Sequence, residues 1–371
     1  MHRRDFLQLA TVASACAATP TDIPKYRIVS RFEPSPKPGM PGRFPGKVVR
    51  VHSEKSVNTA THKVDASTAG EMLSRGMRSL TGAKKERDAW ASFFDATDVV
   101  GIKVNCSGAP NIYSAREVVG GIVGNLIALG IPARNIYIYE RFQDQLTSVR
   151  YDRYLPAGIN IIAAETTRGS SASYDPNTYV ETNFFGEDDT RSNMIRLVTE
   201  RFTKIVNVPN MKDHGAAGVT GCLKNIAYGN FSNVARSHNR EKTNTLTFIG
   251  TLAGVEPLRS RTVLQIMDGL RGVWHGGPFS NDPTFRFYPK TIVFGTDPVA
   301  IDRLLLDVIE NKRKAEGALS IWDRSMDSVK PGRLDPRSNS FIREPGHIEY
   351  ASRLGLGVYD LERIAVTKIE L

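Results

Sequence analysis

Three stretches of sequence decide the fold: residues 98–104 (DVVGIKV), 114–130 (SAREVVGGIVGNLIALG) and 135–140 (NIYIYE). The first stretch is almost continuously apolar, as a strand buried on both faces of a parallel sheet must be. The second repeats apolar residues every four positions until Gly130, which is typical of a helix packed against a sheet. The third is again an apolar strand. Strand, helix and strand at this spacing predict a βαβ unit.

The same alternation continues on both sides of this unit. Further strands are predicted at residues 47–52, 159–164, 203–208, 262–267, 291–295 and 363–369. Helices are predicted at residues 68–82, 85–95 and 348–354, after the loop at 214–221, and after Asp297, whose carboxylate and following proline are typical of a helix start. The predicted fold class is therefore α/β, a three-layer, largely parallel sheet with helices on both faces. One elaborated domain with insertions, covering residues 47–371, fits better than two separate domains, and the polar residues 166–193 are predicted to be an insertion.

The first residues indicate export. Residues 2–8 (HRRDFLQ) closely resemble the twin-arginine export signal, and a short apolar stretch with small residues follows them. We predict a signal peptide at residues 1–17, a periplasmic or otherwise exported protein, and the twin-arginine translocation machinery as a partner. Plain cleavage is favoured over a lipid anchor at Cys16. Residues 18–46 are rich in proline and predict an extended arm.

Composition excludes several classes of protein. The chain has 371 residues, of which 40% are hydrophobic and 24% charged, so it is an ordinary globular sequence with a net charge of +10. No apolar run reaches the ~18 residues of a transmembrane span. Three cysteines are too few to supply the four thiolates of an iron–sulfur cluster. The basic residues lack the interleaved aromatic side chains of a single-strand nucleic-acid binder, and no nucleic-acid partner is expected.

The ends of the predicted strands carry the candidate site, because ligands of open α/β sheets bind outside the carboxyl ends of the strands. The residues that follow those ends are polar or titratable: Lys103, Asn105 and Cys106 after one strand, Lys212 and His214 after another, Asp268 after a third and Asp297 after a fourth. We predict that they converge on one cleft. Lys103, His214 and Asp268 are the candidate catalytic residues, since a lysine, a histidine and a carboxylate can each transfer a proton.

Residues 214–221 (HGAAGVTG) form the most distinctive loop, with glycines at three-residue spacing. Such a loop, running into a helix, can bind an anion through its backbone N–H groups. The spacing matches neither a Walker A loop nor a dinucleotide fingerprint. The predicted anion-binding residues are Asn105, Lys212, Gly218, Thr220, Gly221, Lys224 and Asn225. The alternative is a tight turn that packs a helix against the sheet.

Three further predictions each have a structural alternative. Asp268 and Asp297 could hold a divalent metal ion, or Asp297 could serve only as a helix cap. Lys103, in a buried strand, could act as a base or could form an ion pair with an aspartate. Cys106 and Cys222 could form a disulfide or redox pair in an oxidising compartment, or could be two small buried thiols.

Five motifs together resemble a known family. They are residues 102–105 (IKVN), 208–214 (VPNMKDH), 218–225 (GVTGCLKN), 268–270 (DGL) and 297–302 (DPVAID). In this order they are similar to the uncharacterised bacterial family catalogued as domain of unknown function 362, over roughly residues 47–317. The resemblance implies an α/β domain and little about the reaction. Many relatives carry an appended cysteine-rich, ferredoxin-like segment with iron–sulfur clusters, which this sequence lacks.

The sequence therefore predicts an exported protein that binds a small anionic substrate, in one version with a divalent metal, in a cleft at the carboxyl ends of the strands. Residues 323–347, rich in proline and charge, are predicted to form a lid or loop over it. Whether the protein is an enzyme is left open. The alternatives are a non-catalytic ligand-binding or accessory protein of the cell envelope, and a redox protein.

Overall fold

The structure is a computed structural model and describes residues 23–238, 243–330 and 335–371. The predicted signal peptide at residues 1–17, with Cys16, lies outside the described residues, as does the beginning of the proline-rich arm. Of the helices in these ranges, none is both long and apolar enough to cross a membrane.

The strands and helices follow the predicted alternation. The strands are β1 (Arg27–Val29), β2 (Lys47–His52), β3 (Val57–Asn58), β4 (Lys63–Val64), β5 (Val100–Lys103), β6 (Ile136–Phe142), β7 (Asn160–Glu165), β8 (Tyr174–Glu181), β9 (Arg191–Ile195), β10 (Lys204–Asn207), β11 (Asn210–His214), β12 (Gly218–Val219), β13 (Thr262–Val273), β14 (Arg286–Phe287), β15 (Thr291–Gly295) and β16 (Ala365–Glu370). The helices are α1 (Ala66–Thr81), α2 (Glu86–Ala91), α3 (Arg116–Ala128), α4 (Gln143–Val149), α5 (Gly221–Tyr228), α6 (Thr245–Ala253), α7 (Leu258–Arg261), α8 (Pro298–Ala315) and α9 (His347–Arg353).

The main sheet has the strand order β16-β2-β15-β13-β10-β5-β6-β7, and the short strands β11, β12 and β14 extend it beside β13. Strands β13, β10, β5, β6 and β7 are parallel to one another, and β16 is parallel to β2. Strand β15 is antiparallel to both of its neighbours. The prediction of a largely parallel sheet is therefore confirmed, with β15 as the reversed strand of the main order.

Helices cover both faces of this sheet, so the α/β fold class is confirmed. On one face, the apolar residues of α1, α2 and α3 pack with Val100 and Ile102 of β5 in one core cluster. On the other face, the apolar residues of α5, α6, α8 and α9 form a second cluster with Phe202. Gly101, between Val100 and Ile102, faces that second layer, where a Cβ atom would lie 2.7 Å from the Phe202 ring.

Two helices begin differently from the sequence prediction. Helix α1 begins at Ala66, before the predicted residue 68, and its cap is Asp65, whose carboxylate accepts from the N–H of Thr68. Helix α3 begins at Arg116, and the hydroxyl of Ser114 does not cap it but donates to the carbonyl oxygen of Val208, between β10 and β11.

The polar insertion and the arm meet in a second, smaller sheet. Strands β8 and β9, within and just after the predicted insertion, pair antiparallel, and β1 of the arm pairs with β8. Met40 of the arm is fully buried, and its backbone N–H donates to the Arg259 carbonyl oxygen. The described part of the arm is therefore held against the domain by backbone pairing and by its own apolar side chains.

Candidate functional site

A row of polar side chains crosses three parallel strands on the face that α5 covers. The register places Asn207 of β10 between Lys103 of β5 and Gln265 of β13. All three are fully buried. The helix approaches this row closely, because a Cβ atom at Gly229, just after α5, would lie 2.1 Å from Cε of Lys103. The row is thus the floor of the candidate site, and α5 is its cover.

Lys103 is neutralised by an ion pair. Its Nζ donates to Oε1 of Glu140 at 2.6 Å and to the Val104 carbonyl oxygen at 2.7 Å. The second carboxylate oxygen of Glu140 accepts from the backbone N–H of Cys106 at 3.0 Å. A buried ammonium is stable only when it is paired and hydrogen-bonded in this way. Lys103 therefore forms the ion pair that was the structural alternative to a catalytic base, and its partner is a glutamate rather than the expected aspartate.

Lys212 uses all three of its protons on neutral acceptors. Its Nζ donates to Oδ1 of Asn105 at 2.6 Å, to Oγ of Ser107 at 2.7 Å and to the Pro278 carbonyl oxygen at 3.1 Å. Burial outweighs the attraction of the Glu140 carboxylate and lowers the pKa of Lys212 to about 7. Lys212 is therefore a buried ammonium without a carboxylate in contact.

A chain of amide side chains starts at this ammonium. Because Lys212 donates to Oδ1 of Asn105, the amide nitrogen of Asn105 points onward and donates to Oδ1 of Asn225 at 2.9 Å. Asn225 in turn donates to Oδ1 of Asn207 at 2.7 Å, and Asn207 donates to Oε1 of Gln265 at 2.8 Å. The direction of every amide is thus set by the lysine at one end.

Lys224, on α5, has no partner of this kind. Its Nζ lies 4.5 Å from the centre of the Tyr228 ring, and in the described ranges it makes no hydrogen bond or ion pair. The residue is 8% exposed. Burial, together with the positive charges of Lys212 and Arg141, lowers the pKa of Lys224 to about 7. A ligand with negative charge would stabilise this ammonium.

His214 presents a neutral ring to the same region. Its Nδ1 accepts from the backbone N–H groups of Ala216 and Ala217, each at 3.1 Å, so the proton of the neutral imidazole is on Nε2. Burial and the nearby charge of Lys224 hold the pKa of His214 well below its usual value. The ring lies 5.2 Å from that of His238, centre to centre. His214 is therefore a hydrogen-bond donor that stays uncharged.

The backbone N–H groups after the glycine loop already have an acceptor. At the beginning of α5, the N–H groups of Cys222 and Leu223 donate to the carboxylate of Asp302 at 2.6 and 2.8 Å. Gly221 has a left-handed φ of 55°, and a Cβ atom there would lie 2.3 Å from Oδ1 of Asp302. In this structure these amides are not available to an anion. This end of the loop is therefore a tight turn that packs α5 in place, which was the alternative to an anion-binding loop.

Gly218 and Thr220 are also enclosed by the protein itself. Gly218 pairs with His214 across the β11–β12 hairpin, and a Cβ atom there would lie 3.0 Å from Pro345. The hydroxyl of Thr220 is buried and, in the part of the chain that the structure describes, has no hydrogen-bond partner. Of the predicted anion-binding residues, the side chains of Asn105, Lys212 and Asn225 are therefore brought together, with Lys224 beside them.

The two candidate metal ligands are both held by backbone N–H groups. The last residue of β15, Gly295, is level with Gln265 of the polar row. Because β15 is antiparallel, the chain continues from there toward the amino ends of β5 and β10, and Asp297 follows in that direction. Asp297 accepts from the backbone N–H groups of Gly46, Ala300 and Val358. Asp297 therefore serves as the cap of α8, the alternative that the sequence offered, and its hydrogen bonds do not connect it to the lysine and amide group.

Asp268 is held by the backbone in a similar way. It lies within β13, which continues to Val273, and it accepts from the N–H groups of Ala115 at 2.7 Å and Leu270 at 3.0 Å. Burial raises the pKa of Asp268 to about 6. The described residues contain no group of three or more His, Cys, Asp or Glu that could hold a metal ion.

Cys106 and Cys222 are both free and fully buried. Burial raises the pKa of each thiol well above its usual value, and the carboxylates of Glu140 and Asp302 add to the effect. Neither thiol is therefore ionised near neutral pH. In this structure they are two small buried thiols.

The sequence prediction missed the acidic and basic residues at the ends of β6 and β7. Glu140 and Arg141 end β6, and Glu165 ends β7. Nε of Arg141 donates to Oε1 of Glu165 at 2.8 Å, and Tyr174 also bonds that carboxylate. These strands were predicted, and the rule of carboxyl strand ends applies to them equally. Applied to every strand, it would have identified all three residues.

The predicted lid region packs against the His214 hairpin. Arg343 forms a fully buried ion pair with Asp213 and also donates to the His214 carbonyl oxygen at 3.2 Å. The N–H of Glu344 donates to the Ala216 carbonyl oxygen at 2.8 Å. This segment therefore fixes the backbone that positions the His214 ring.

Comparison with known proteins identifies a family. The family model "Domain of unknown function (DUF362)" matches residues 100–307, which include the whole of the lysine group and its amide chain. No curated protein and no solved structure shows significant similarity to the chain. The chain belongs to the DUF362 family.

Proposed function

We propose that the chain binds a small anion beside Lys224, between the carboxyl ends of β5, β6 and β10 and the cover formed by α5. The observation that carries the proposal is that Lys224 is an almost completely buried ammonium with no counterion among the described residues. An uncompensated buried charge is costly, and a bound anion removes that cost.

The charged side chains around Lys224 give the site a net positive potential. Lys103 is balanced by Glu140, and Arg141 is balanced by Glu165. Lys212 contacts only neutral acceptors. Among the residues that the structure describes, the ammonium groups of Lys212 and Lys224 thus have no carboxylate in contact. An anion would meet both charges at a site from which most water is excluded, where electrostatic attraction is strong.

His214 adds a donor that does not depend on pH. Its Nε2–H is available because Nδ1 is occupied by two backbone N–H groups. A neutral imidazole donates to an oxygen without adding charge. The proposed ligand therefore has at least one oxygen that accepts from His214 and a negative charge that pairs with Lys224.

Calorimetric titration with sulfate at constant ionic strength tests this proposal. We expect sulfate to bind wild type and Lys224→Met to bind it about tenfold to a hundredfold more weakly, as the loss of a charged hydrogen bond predicts. Lys312→Met is the matched control, because Lys312 is on the outer part of α8 and pairs with Glu316. Equal binding by wild type, Lys224→Met and Lys312→Met would refute the proposal.

The pKa values predict how the binding depends on pH. Sulfate keeps its charge across the neutral range, whereas Lys212 and Lys224 have pKa values of about 7. A bound anion requires the charged form of Lys224. We therefore expect the affinity to decrease as the pH rises above 7, and an affinity that does not change between pH 6 and pH 9 would contradict this assignment.

The export prediction completes the proposal. Residues 2–8 carry the twin-arginine pattern and support a function outside the cytoplasm. Replacing both Arg3 and Arg4 by lysine should retain unprocessed protein in the cytoplasm, as followed by cell fractionation and mass measurement. The Arg31→Lys variant, with its change outside the signal, should be exported normally. Equal export of all variants would refute the route.

A further inference from the structure

The three buried lysines of the site differ in whether their amine is available. The Nζ of Lys103 is committed to Glu140 and to a backbone carbonyl. The Nζ of Lys212 donates to three acceptors. The Nζ of Lys224 has no acceptor in the described ranges and contacts only the face of the Tyr228 ring. When it loses a proton, its lone pair is free to react.

We propose that Lys224 is a nucleophile that forms an imine with an aldehyde or ketone carbonyl carried by the anionic ligand. This inference rests on the proposed function and narrows its ligand to carbonyl-bearing anions such as 2-oxo acids. A desolvated lysine next to another cationic group is a known arrangement for imine chemistry.

The reaction balances without an added oxidant or reductant. The lone pair of Nζ attacks the carbonyl carbon and the C–O π bond breaks, so that the oxygen takes up a proton and a carbinolamine forms. Loss of that oxygen as water and of a proton from Nζ gives the C=N bond. Nε2–H of His214 is the neutral donor that can polarise the carbonyl oxygen at the start.

The groups that face Lys224 favour its unprotonated form. They are Lys212 and His214 of β11, Arg141 of β6, His238, His347 of α9, and Tyr228 on its own helix. None of them is a carboxylate. With a pKa of about 7, roughly half of the Lys224 amine is unprotonated at pH 7, compared with about one in a few thousand for an exposed lysine.

The ligand's own charge does not need Lys224 once the amine is neutral. The ammonium of Lys212 lies in the same buried region, and its charge is one of the causes of the lowered pKa of Lys224. It has no carboxylate in contact. The carboxylate of a 2-oxo acid would therefore be stabilised by Lys212 while its carbonyl carbon is attacked by Lys224.

Reductive trapping tests the inference. The full chain is incubated at pH 7 with glyoxylate and cyanoborohydride, and the modified lysines are located by peptide mass mapping. We expect Lys224 to gain one carboxymethyl group about a thousandfold faster than an ordinary exposed lysine, because of the difference in unprotonated fraction. The partly exposed Lys312, which pairs with Glu316, is the internal reference. Excess sulfate should slow the reaction at Lys224 and leave Lys312 unaffected.

Two variants separate this inference from the proposed function. Lys224→Arg keeps the charge and cannot form an imine, so it should bind sulfate and show no fast trapping. Lys312→Arg should retain the fast reaction. Sulfate binding to wild type with Lys224 trapped no faster than Lys312 would overturn the imine and leave the anion site intact. The absence of sulfate binding would overturn the anion site itself, and with it the assigned ligand class.

Discussion

Buried aspartates and buried lysines in this protein have opposite surroundings. Asp268, Asp297 and Asp302 each accept at least two hydrogen bonds from backbone N–H groups. Several of these amides are distant in sequence, such as Gly46 for Asp297 and Cys222 for Asp302. The aspartates therefore join segments of the backbone, and their oxygens are in use.

Two of the three buried lysines, Lys212 and Lys224, have no carboxylate in contact among the described residues. Lys212 is surrounded by neutral acceptors, and Lys224 has no acceptor in the described part of the chain. Both are nonetheless almost completely buried. A charged residue at a strand end therefore does not by itself indicate a ligand site. What matters is whether the protein already satisfies both its charge and its hydrogen-bonding capacity.

The largest expected effect is the loss of stability when Asp297 is replaced by alanine. The change leaves the N–H groups of Gly46, Ala300 and Val358 without their acceptor. We expect the free energy of unfolding to fall by about 4 kcal/mol, as measured by urea denaturation. Asp307→Ala is the matched control, since Asp307 is half-exposed on the same helix, and should cost less than about 0.5 kcal/mol. Equal losses in both variants would contradict the structural role.

The next effect concerns Lys103, the one of the three buried lysines whose charge is paired with a carboxylate among the described residues. Lys103→Met leaves the Glu140 carboxylate buried with its charge no longer balanced, and should lower the free energy of unfolding by about 3 kcal/mol. The double variant Lys103→Met with Glu140→Leu should recover most of that loss in the same denaturation assay. If the double variant were less stable than the single one, the pair would contribute net stability rather than only mutual neutralisation.

Much of the fold could be predicted from the sequence, because hydrophobic periodicity reports which faces are buried. It does not report the direction of a strand, so it did not show that the chain leaves β15 toward the amino ends of β5 and β10 before it reaches Asp297. The segment between β13 and β15 contains no α-helix. A parallel connection usually needs one, so the missing helix was the available sign of an antiparallel strand.

The candidate site was predicted in part. Lys212, Asn105 and Asn225 were identified from strand ends and from the glycine loop, and the structure joins them in one hydrogen-bonded chain. The acceptor at the start of α5 could not be predicted, because Asp302 lies about 80 residues further along the chain. Spacing within a motif carries no information about a cap supplied by a distant helix.

A smaller effect should appear in the pH dependence of stability. The pKa of Lys224 is lowered to about 7, so the unfolded chain binds more protons than the folded chain between pH 7 and pH 10. Stability must then rise with pH in that range, by about 2 kcal/mol from pH 7 to pH 9 for this lysine. We expect the rise to be smaller in Lys224→Met by that amount. Parallel curves for wild type and variant would contradict the buried, unpaired lysine.

The smallest effect is expected from removal of divalent metal. Both carboxylate oxygens of Asp268 and of Asp297 already accept from backbone N–H groups, and a hard divalent ion needs several free oxygen ligands. We therefore expect chelation with EDTA to change the free energy of unfolding by less than about 0.5 kcal/mol.

Metal analysis of the purified protein provides the complementary measurement. A stoichiometric metal whose removal destabilises wild type, and which is lost in Asp268→Ala, would show that the aspartates serve a ligand as well as the backbone. The aspartates and the lysines would then no longer differ in whether they serve a ligand. If EDTA has no effect while sulfate stabilises the protein through Lys224, the ligand-dependent stability resides with the lysines alone. Near saturation, at about 100 times its Kd, that stabilisation should reach about 2.7 kcal/mol.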